Sequence, residues 1–150
     1  MRIVFVIAFI ILLPIKSIAQ INTEISFNKK DKSLMLTLKN ETKKVFNLAP
    51  PVSSDPFTTR GSFLEVKFRD KNNNIIYQRS LFVFDGLKAK EYFGKGRFLF
   101  DNAKKEYVYK LHEWYRKEVY MIEVFVQIEA RNISNRDDVY KKNIRTNYFW

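Results

Sequence analysis

An antiparallel all-β sandwich of about seven to nine strands is the fold this sequence predicts. Three observations predict it. Apolar residues alternate with polar ones at period two through most of the chain after residue 20. Stretches rich in Asn, Asp, Lys, Pro or Gly separate these runs at the spacing of turns. No segment after residue 20 sustains a long 3.6-residue periodicity, so no long helix is expected.

The first segment stands outside this fold. In MRIVFVIAFIILLPIKSIAQ, Arg2 supplies a short positive start and Ile3 to Leu13 an apolar run of eleven residues. Pro14 then breaks the helix, and Ser17 and Ala19 are the small residues that a signal peptidase reads. The layout predicts a secretory leader over 1–19, cut between Ala19 and Gln20, and a single domain over 20–150. The apolar run falls short of the about 20 residues a membrane-crossing helix needs. With no Cys in the chain, a lipid anchor at the cleavage site is excluded and disulfides cannot brace an exported domain. The 131 residues left after cleavage suffice for a real core, since a domain of that size buries about two-thirds of its unfolded surface.

Removing Arg2 and Lys16 with the leader leaves 25 basic residues against 16 acidic ones, a formal charge of +9. That sign steers a protein toward anionic surfaces such as lipid A phosphates, acidic polysaccharide or extracellular DNA. The basic residues are scattered, however, with no block of five or six together, and Lys, Asn, Ile, Phe and Tyr are plentiful where Gly and Ala are scarce. Codon bias of an AT-rich genome accounts for that composition, and no specific nucleic-acid partner is expected.

Within the domain, TEISFN (23–28) sets Ile25 and Phe27 against polar neighbours, and KKDK follows as a turn. SLMLTLKNE then puts Leu34, Leu36 and Leu38 on one face with Thr37 and Lys39 on the other. A short run, KVFNL, leads into APPVSSDPFTTRGS, whose three prolines cannot continue a ladder and mark the longest loop. SFLEVKFRD turns Leu64, Val66 and Phe68 inward, and KNNN is a hairpin turn because Asn tolerates the left-handed backbone. IIYQRSLFVF returns, and DGLKAKEYFGKG is a second basic loop. RFLFD and EYVYKLH are further strands, the latter with Tyr107, Tyr109 and Leu111 on one face. LHEWYRKE has room for one or two helical turns. EVYMIEVFVQIEAR is the clearest strand: Tyr120, Ile122, Val124, Val126 and Ile128 share a face, with Glu123, Gln127 and Glu129 opposite. After the turn NISNRDD, VYKKNIRTNYFW runs back with Ile144, Thr146, Tyr148 and Trp150 on one side.

The end of the chain, NIRTNYFW, raises an alternative. A terminal aromatic with Tyr two positions earlier is what outer-membrane barrels present to their insertion machinery. The other strands argue against a barrel. A lipid-facing strand needs about ten residues with an unbroken outward apolar band, and SLMLTLKNE and SFLEVKFRD reach a charge after three apolar positions. Strands of five to eight residues suit a globular sandwich, with the terminal aromatics as the core-facing end of its last strand.

SLMLTLKNETKKVFNL resembles the second strand of secreted immunoglobulin-like or fibronectin-type modules, running into an Asn-containing turn. VYMIEVFVQ resembles their penultimate strand. The resemblance covers most of 23–148 and implies an immunoglobulin-like β-sandwich. It implies that Tyr120 holds the corner position whose hydroxyl pins the preceding loop, and that Ile122 stands where such domains carry the second Cys of their disulfide.

Catalysis has little to stand on. His112 is the lone histidine, and His112-Glu113 lacks the second histidine of a zinc-protease helix. Ser53, Ser54 and Ser62 lie outside any Gly-x-Ser-x-Gly elbow. Asp137-Asp138, with Asp31 or Asp101, lacks the alternating oxygen ligands and glycine of a calcium loop. Glu123 and Glu129 share a strand face but lie about 20 Å apart along it, too far to cooperate on a glycosidic bond. No catalytic residue, metal site or cofactor is therefore expected, and the chain reads as a non-enzyme. Binding has two candidates. Trp114, Tyr115, Arg116 and Lys117 combine the residue types enriched at interface hot spots, and the loops at 49–61 and 85–96 occupy the place where sandwiches mount recognition. Asn40-Glu41-Thr42 and Asn132-Ile133-Ser134 match the glycosylation sequon by letters, which carries no meaning in a bacterial host. The expected function is an exported binding module, periplasmic or extracellular, whose partner is an envelope protein or a glycan. The alternatives are the small outer-membrane barrel and a protease inhibitor presenting APPVSSDPFTT.

Overall fold

The computed structural model describes residues 20–48, 61–86, 97–111 and 118–150. Nine strands lie among them: β1 (Ile21–Asn28), β2 (Ser33–Asn40), β3 (Phe46–Leu48), β4 (Phe63–Arg69), β5 (Ile75–Phe82), β6 (Phe98–Leu99), β7 (Lys104–Lys110), β8 (Met121–Asn132) and β9 (Val139–Phe149). A 3-10 turn, Val83–Gly86, follows β5. Every pairing is antiparallel. One sheet runs β1-β2-β7; the other runs β5-β4-β8, with β9 on the far side of β8 and β3 and β6 extending it. The order β1-β2-β7 against β5-β4-β8-β9 is the A-B-E against C′-C-F-G order of immunoglobulin-type sandwiches. The all-β sandwich expected from the sequence is the observed architecture.

Period-two patterning fixes which side of each strand is inside. Leu34, Leu36 and Leu38 of β2 meet Leu64, Val66 and Phe68 of β4 and Ile122, Val124, Val126 and Ile128 of β8 in one core, joined by Tyr107 and Tyr109 of β7. Most of these side chains are fully excluded from solvent. The outer face of the second sheet carries Glu65, Lys67, Arg69, Glu123 and Arg145, with Arg69 paired to Glu123 at 2.7 Å and Lys67 to Glu65 at 3.1 Å. That row is charged where a barrel would need an apolar band.

β3 and β4 pair in succession along the same side of β8. Continuing the register of β3 would set position 51 opposite Gln127, but Phe63 stands there, so the chain has twelve residues more than an unbroken strand needs. Ser62 bridges the gap: its buried hydroxyl donates to the Glu129 carbonyl at 2.9 Å and accepts from the Glu129 N–H at 3.0 Å. A side chain thus satisfies the backbone pair that the ladder skips. In the β4–β5 hairpin, Asn73 takes the left-handed conformation (φ 67°) expected of KNNN. Asp70 holds that turn by accepting from the Asn72 and Asn74 N–H groups.

The edge of β7 is closed by the 3-10 turn. Tyr109 donates its hydroxyl to the Val83 carbonyl at 2.7 Å, and burial pushes its pKa well up. Gly86 is what permits the approach. A Cβ there would lie 2.8 Å from Tyr107 Cβ and 2.9 Å from both Tyr109 Cζ and the Val108 nitrogen. Gly86→Ala is expected to destabilise the domain by about 1–3 kcal/mol through overpacking, read as a lower urea midpoint at unchanged slope. An unmoved midpoint would mean that the turn stands off β7.

Candidate binding site

The open side of the sandwich lies where β1, the edge of the first sheet, comes alongside β9, the edge of the second. Two hydrogen bonds fix how β9 meets β8: Asn132 N–H to the Asp138 carbonyl at 3.0 Å and Trp150 N–H to the Tyr120 carbonyl at 2.9 Å. In an antiparallel ladder bonded and non-bonded pairs alternate. Tyr140, Lys142, Ile144, Thr146 and Tyr148 therefore direct their backbone groups at β8, given the unbroken register between Arg131↔Val139 and Met121↔Phe149. Lys141, Asn143, Arg145 and Asn147 direct theirs away from it. Among the described residues nothing bonds to those outward backbone groups. The same reasoning on β1, anchored by Glu41 N–H to the Gln20 carbonyl at 3.0 Å, turns Ile21, Thr23, Ile25 and Phe27 outward along that edge.

Two tyrosines of β9 hold the edges together. Tyr148 donates its hydroxyl to the Ile25 carbonyl at 2.7 Å, and Tyr140 shares a hydrogen bond with Thr23 at 3.0 Å. Above and beside them lie three hollows. One of about 450 Å³ runs between Gln20–Glu24 and Tyr140–Lys142. A second, about 400 Å³, has an apolar floor of Ile21, Phe46 and Val139 under Lys43 and Lys44. The third, about 540 Å³, lies along β8 and β9 beside Glu129, Arg131, Lys141 and Lys142.

Asn132, Asp138 and Lys44 meet at the end of this groove. Asn132 Nδ2 donates to Asp138 at 2.9 Å, and its Oδ1 accepts from the Ser134 N–H, closing the β8–β9 hairpin. Lys44 Nζ reaches the same Asp138 carboxylate at 2.6 Å. Hydrogen bonds from Lys44 and Asn132 lower the Asp138 pKa. Asp138 thus ties two turns together, a role beyond that of a solvated turn residue. On the sheet's outer face Arg69 holds the Glu123 carboxyl below its ordinary value of 4.5, mainly by hydrogen bonding, with charge from Arg69, Lys67 and Arg145 adding to it and desolvation opposing. A depressed carboxylate stabilises the fold above its unfolded pKa, and that contribution is lost as pH falls through the folded value. Arg69→Gln is therefore expected to lower the urea midpoint at pH 7 and to converge on the parent below pH 4.5. A gap that stays constant down to pH 3 would assign the loss to packing of the arginine stem.

Trp114, Tyr115, Arg116 and Lys117, the residues singled out from the sequence, lie outside the described residues, as do His112, residues 1–19 expected as a leader, and residues 49–60 and 87–96 of the two expected loops. In sequence this stretch ends three positions before Tyr120. That tyrosine is 45% exposed and its ring packs edge-on against Phe149, itself 63% exposed, at 5.5 Å. Tyr120 is thus exposed rather than buried with the Ile122–Ile128 row, and the loop that its hydroxyl would pin lies outside the described residues. Trp150, Phe27 and Phe68 pack together at this end and fill the inward space. Ile122 is fully buried on β8. The open β9 edge escaped the sequence reading; its signal was three cations, Lys141, Lys142 and Arg145, within one strand, a pattern typical of sheet edges.

No family model and no curated relative matches the chain. Among solved structures it is similar to the X-ray structure of Northeast Structural Genomics Consortium target SoR45, with a TM-score of 0.44 and 10% identity, covering 85% of this chain and 81% of that one.

Proposed function

We propose that the chain is an exported, non-catalytic binding module of the bacterial envelope, periplasmic or extracellular, that holds an extended segment of a partner protein along β9. The observation that carries this reading is the eleven-residue β9 edge, whose outward N–H and C=O groups bond to nothing among the described residues. A row of unpaired backbone groups beside a groove is how sheets take up an added strand, with backbone bonds giving affinity and pockets giving selectivity. Site-directed photocrosslinking in the producing cell tests it. A photoreactive residue at Asn143, exposed on β9, is expected to yield an adduct with one envelope protein, and the same group at Val108, exposed on the far sheet, none. Equal labelling from both positions, or none from Asn143, would overturn it.

A second reading rests on the exposed Tyr120–Phe149 pair, which adjoins Trp114–Lys117 in sequence. Aromatic rings so grouped stack on sugars, and a glycan array with Trp114→Ala and Phe149→Ala tests that. Binding unchanged by both substitutions would retire the glycan site.

A further inference from the structure

Resting on strand capture at β9, we infer that the captured segment alternates acidic with apolar side chains. The alternation follows from the two faces of the edge. On the outer face the row beside a newcomer is Lys141, Asn143, Arg145 and Asn147, all exposed. Arg145 lies over the Phe125 ring at 5.5 Å, which fixes its guanidinium on that face. Carboxylates on the newcomer would stand across from Lys141 and Arg145, and opposite charges on facing positions are the favoured pairs. On the inner face the end of the newcomer beside Val139 and Tyr140, both half-buried, passes over the apolar hollow that the buried Ile21 and Phe46 close from below. Its alternate residues at that end are apolar for that reason.

The same charges argue against a second copy of this chain as the occupant. Antiparallel self-pairing centred on Asn143 would set Lys141 of each copy opposite Arg145 of the other, and like charges in facing positions repel. Lys142 adds a further cation, one with no ion partner among the described residues, whereas Lys141 Nζ also lies 3.7 Å from Glu129 Oε2 with its side chain still largely exposed. An edge so furnished rejects its own kind and favours an acidic strand.

The test uses the processed chain and two synthetic peptides of about ten residues, enough to cover β9. One alternates Glu with Val; the other carries Lys in place of Glu. Hydrogen exchange read by NMR is expected to show the acidic peptide protecting the amides of Lys141, Asn143, Arg145 and Asn147. Its affinity is expected to exceed that of the basic peptide by about tenfold or more at low salt, shrinking as salt screens the pair. The double variant Lys141→Glu/Arg145→Glu is expected to invert the preference. Asn143→Pro, which removes an outward N–H and leaves the β8 ladder intact, is expected to weaken both peptides, with circular dichroism confirming the fold. Equal protection by the two peptides would overturn the acidic selection and leave strand capture standing. Absence of protection by either would overturn strand capture itself, and this inference with it.

Discussion

Replacing Asn40 by Ala is expected to destabilise the domain by about 3 kcal/mol, lowering its melting temperature by about 10 °C. Asn40 has no solvent exposure. The two N–H groups of its Nδ2 are shared among the carbonyls of Lys44 (2.7 Å), Phe100 (2.8 Å) and, at longer range, Leu99 (3.2 Å). Its Oδ1 accepts from the Thr42 N–H at 3.0 Å and the Thr42 hydroxyl at 2.7 Å. One amide thereby joins the end of β2, the turn after it and the residues at β6. Truncation strands several buried polar groups at once, and stranded groups cost about 1–3 kcal/mol each before any relaxation or water entry. Asn40→Asp sharpens the test, because it keeps the shape and the acceptor but replaces the donor with a charge facing carbonyl oxygens. It is expected to be at least as damaging as Ala. A calorimetric melt within a degree or two of the parent for either variant would show that the turn re-forms without this hub. The sequon letters Asn40-Glu41-Thr42 therefore spell a buried turn lock.

The second large effect lies at the chain's end. Trp150→Ala is expected to cost about 2–4 kcal/mol, whereas Phe149→Ala, one residue earlier, is expected to stay within about 0.5 kcal/mol. Trp150 stacks on Phe27 at 5.7 Å and meets Phe68 edge-on at 5.6 Å, and Lys32 Nζ lies 4.6 Å from its ring centroid. Phe149 points the other way and touches Tyr120 in solvent. Urea midpoints of the two variants check the contrast. Equal losses would mean that the Phe149 ring is packed against the domain as firmly as that of Trp150.

Which face of each strand turns inward was legible in the sequence, because alternation is local. Leu34-Leu36-Leu38, Leu64-Val66-Phe68 and the Ile122–Ile128 row were readable by eye, and all are buried. The turns were readable for the same reason: Asn73 and the residues around it carry their own hydrogen-bonding instructions. The candidate site was much less legible. Charge at Lys141, Lys142 and Arg145 hints at an edge, but an edge is defined by the neighbour a strand lacks.

The sequence by itself determined the class of fold, the inward rows and the turns, each a matter of residues within a few positions of one another. Only the tertiary structure decided that β3 and β4 share one side of β8, that Ser62 mends the ladder between them, and that Asn40 locks three segments. It also decided that β9 is left with one side unpaired. The physical reason is that strand neighbours are chosen by contacts between distant residues, and the hydrogen-bonding capacity of a backbone is the same whatever side chain it carries.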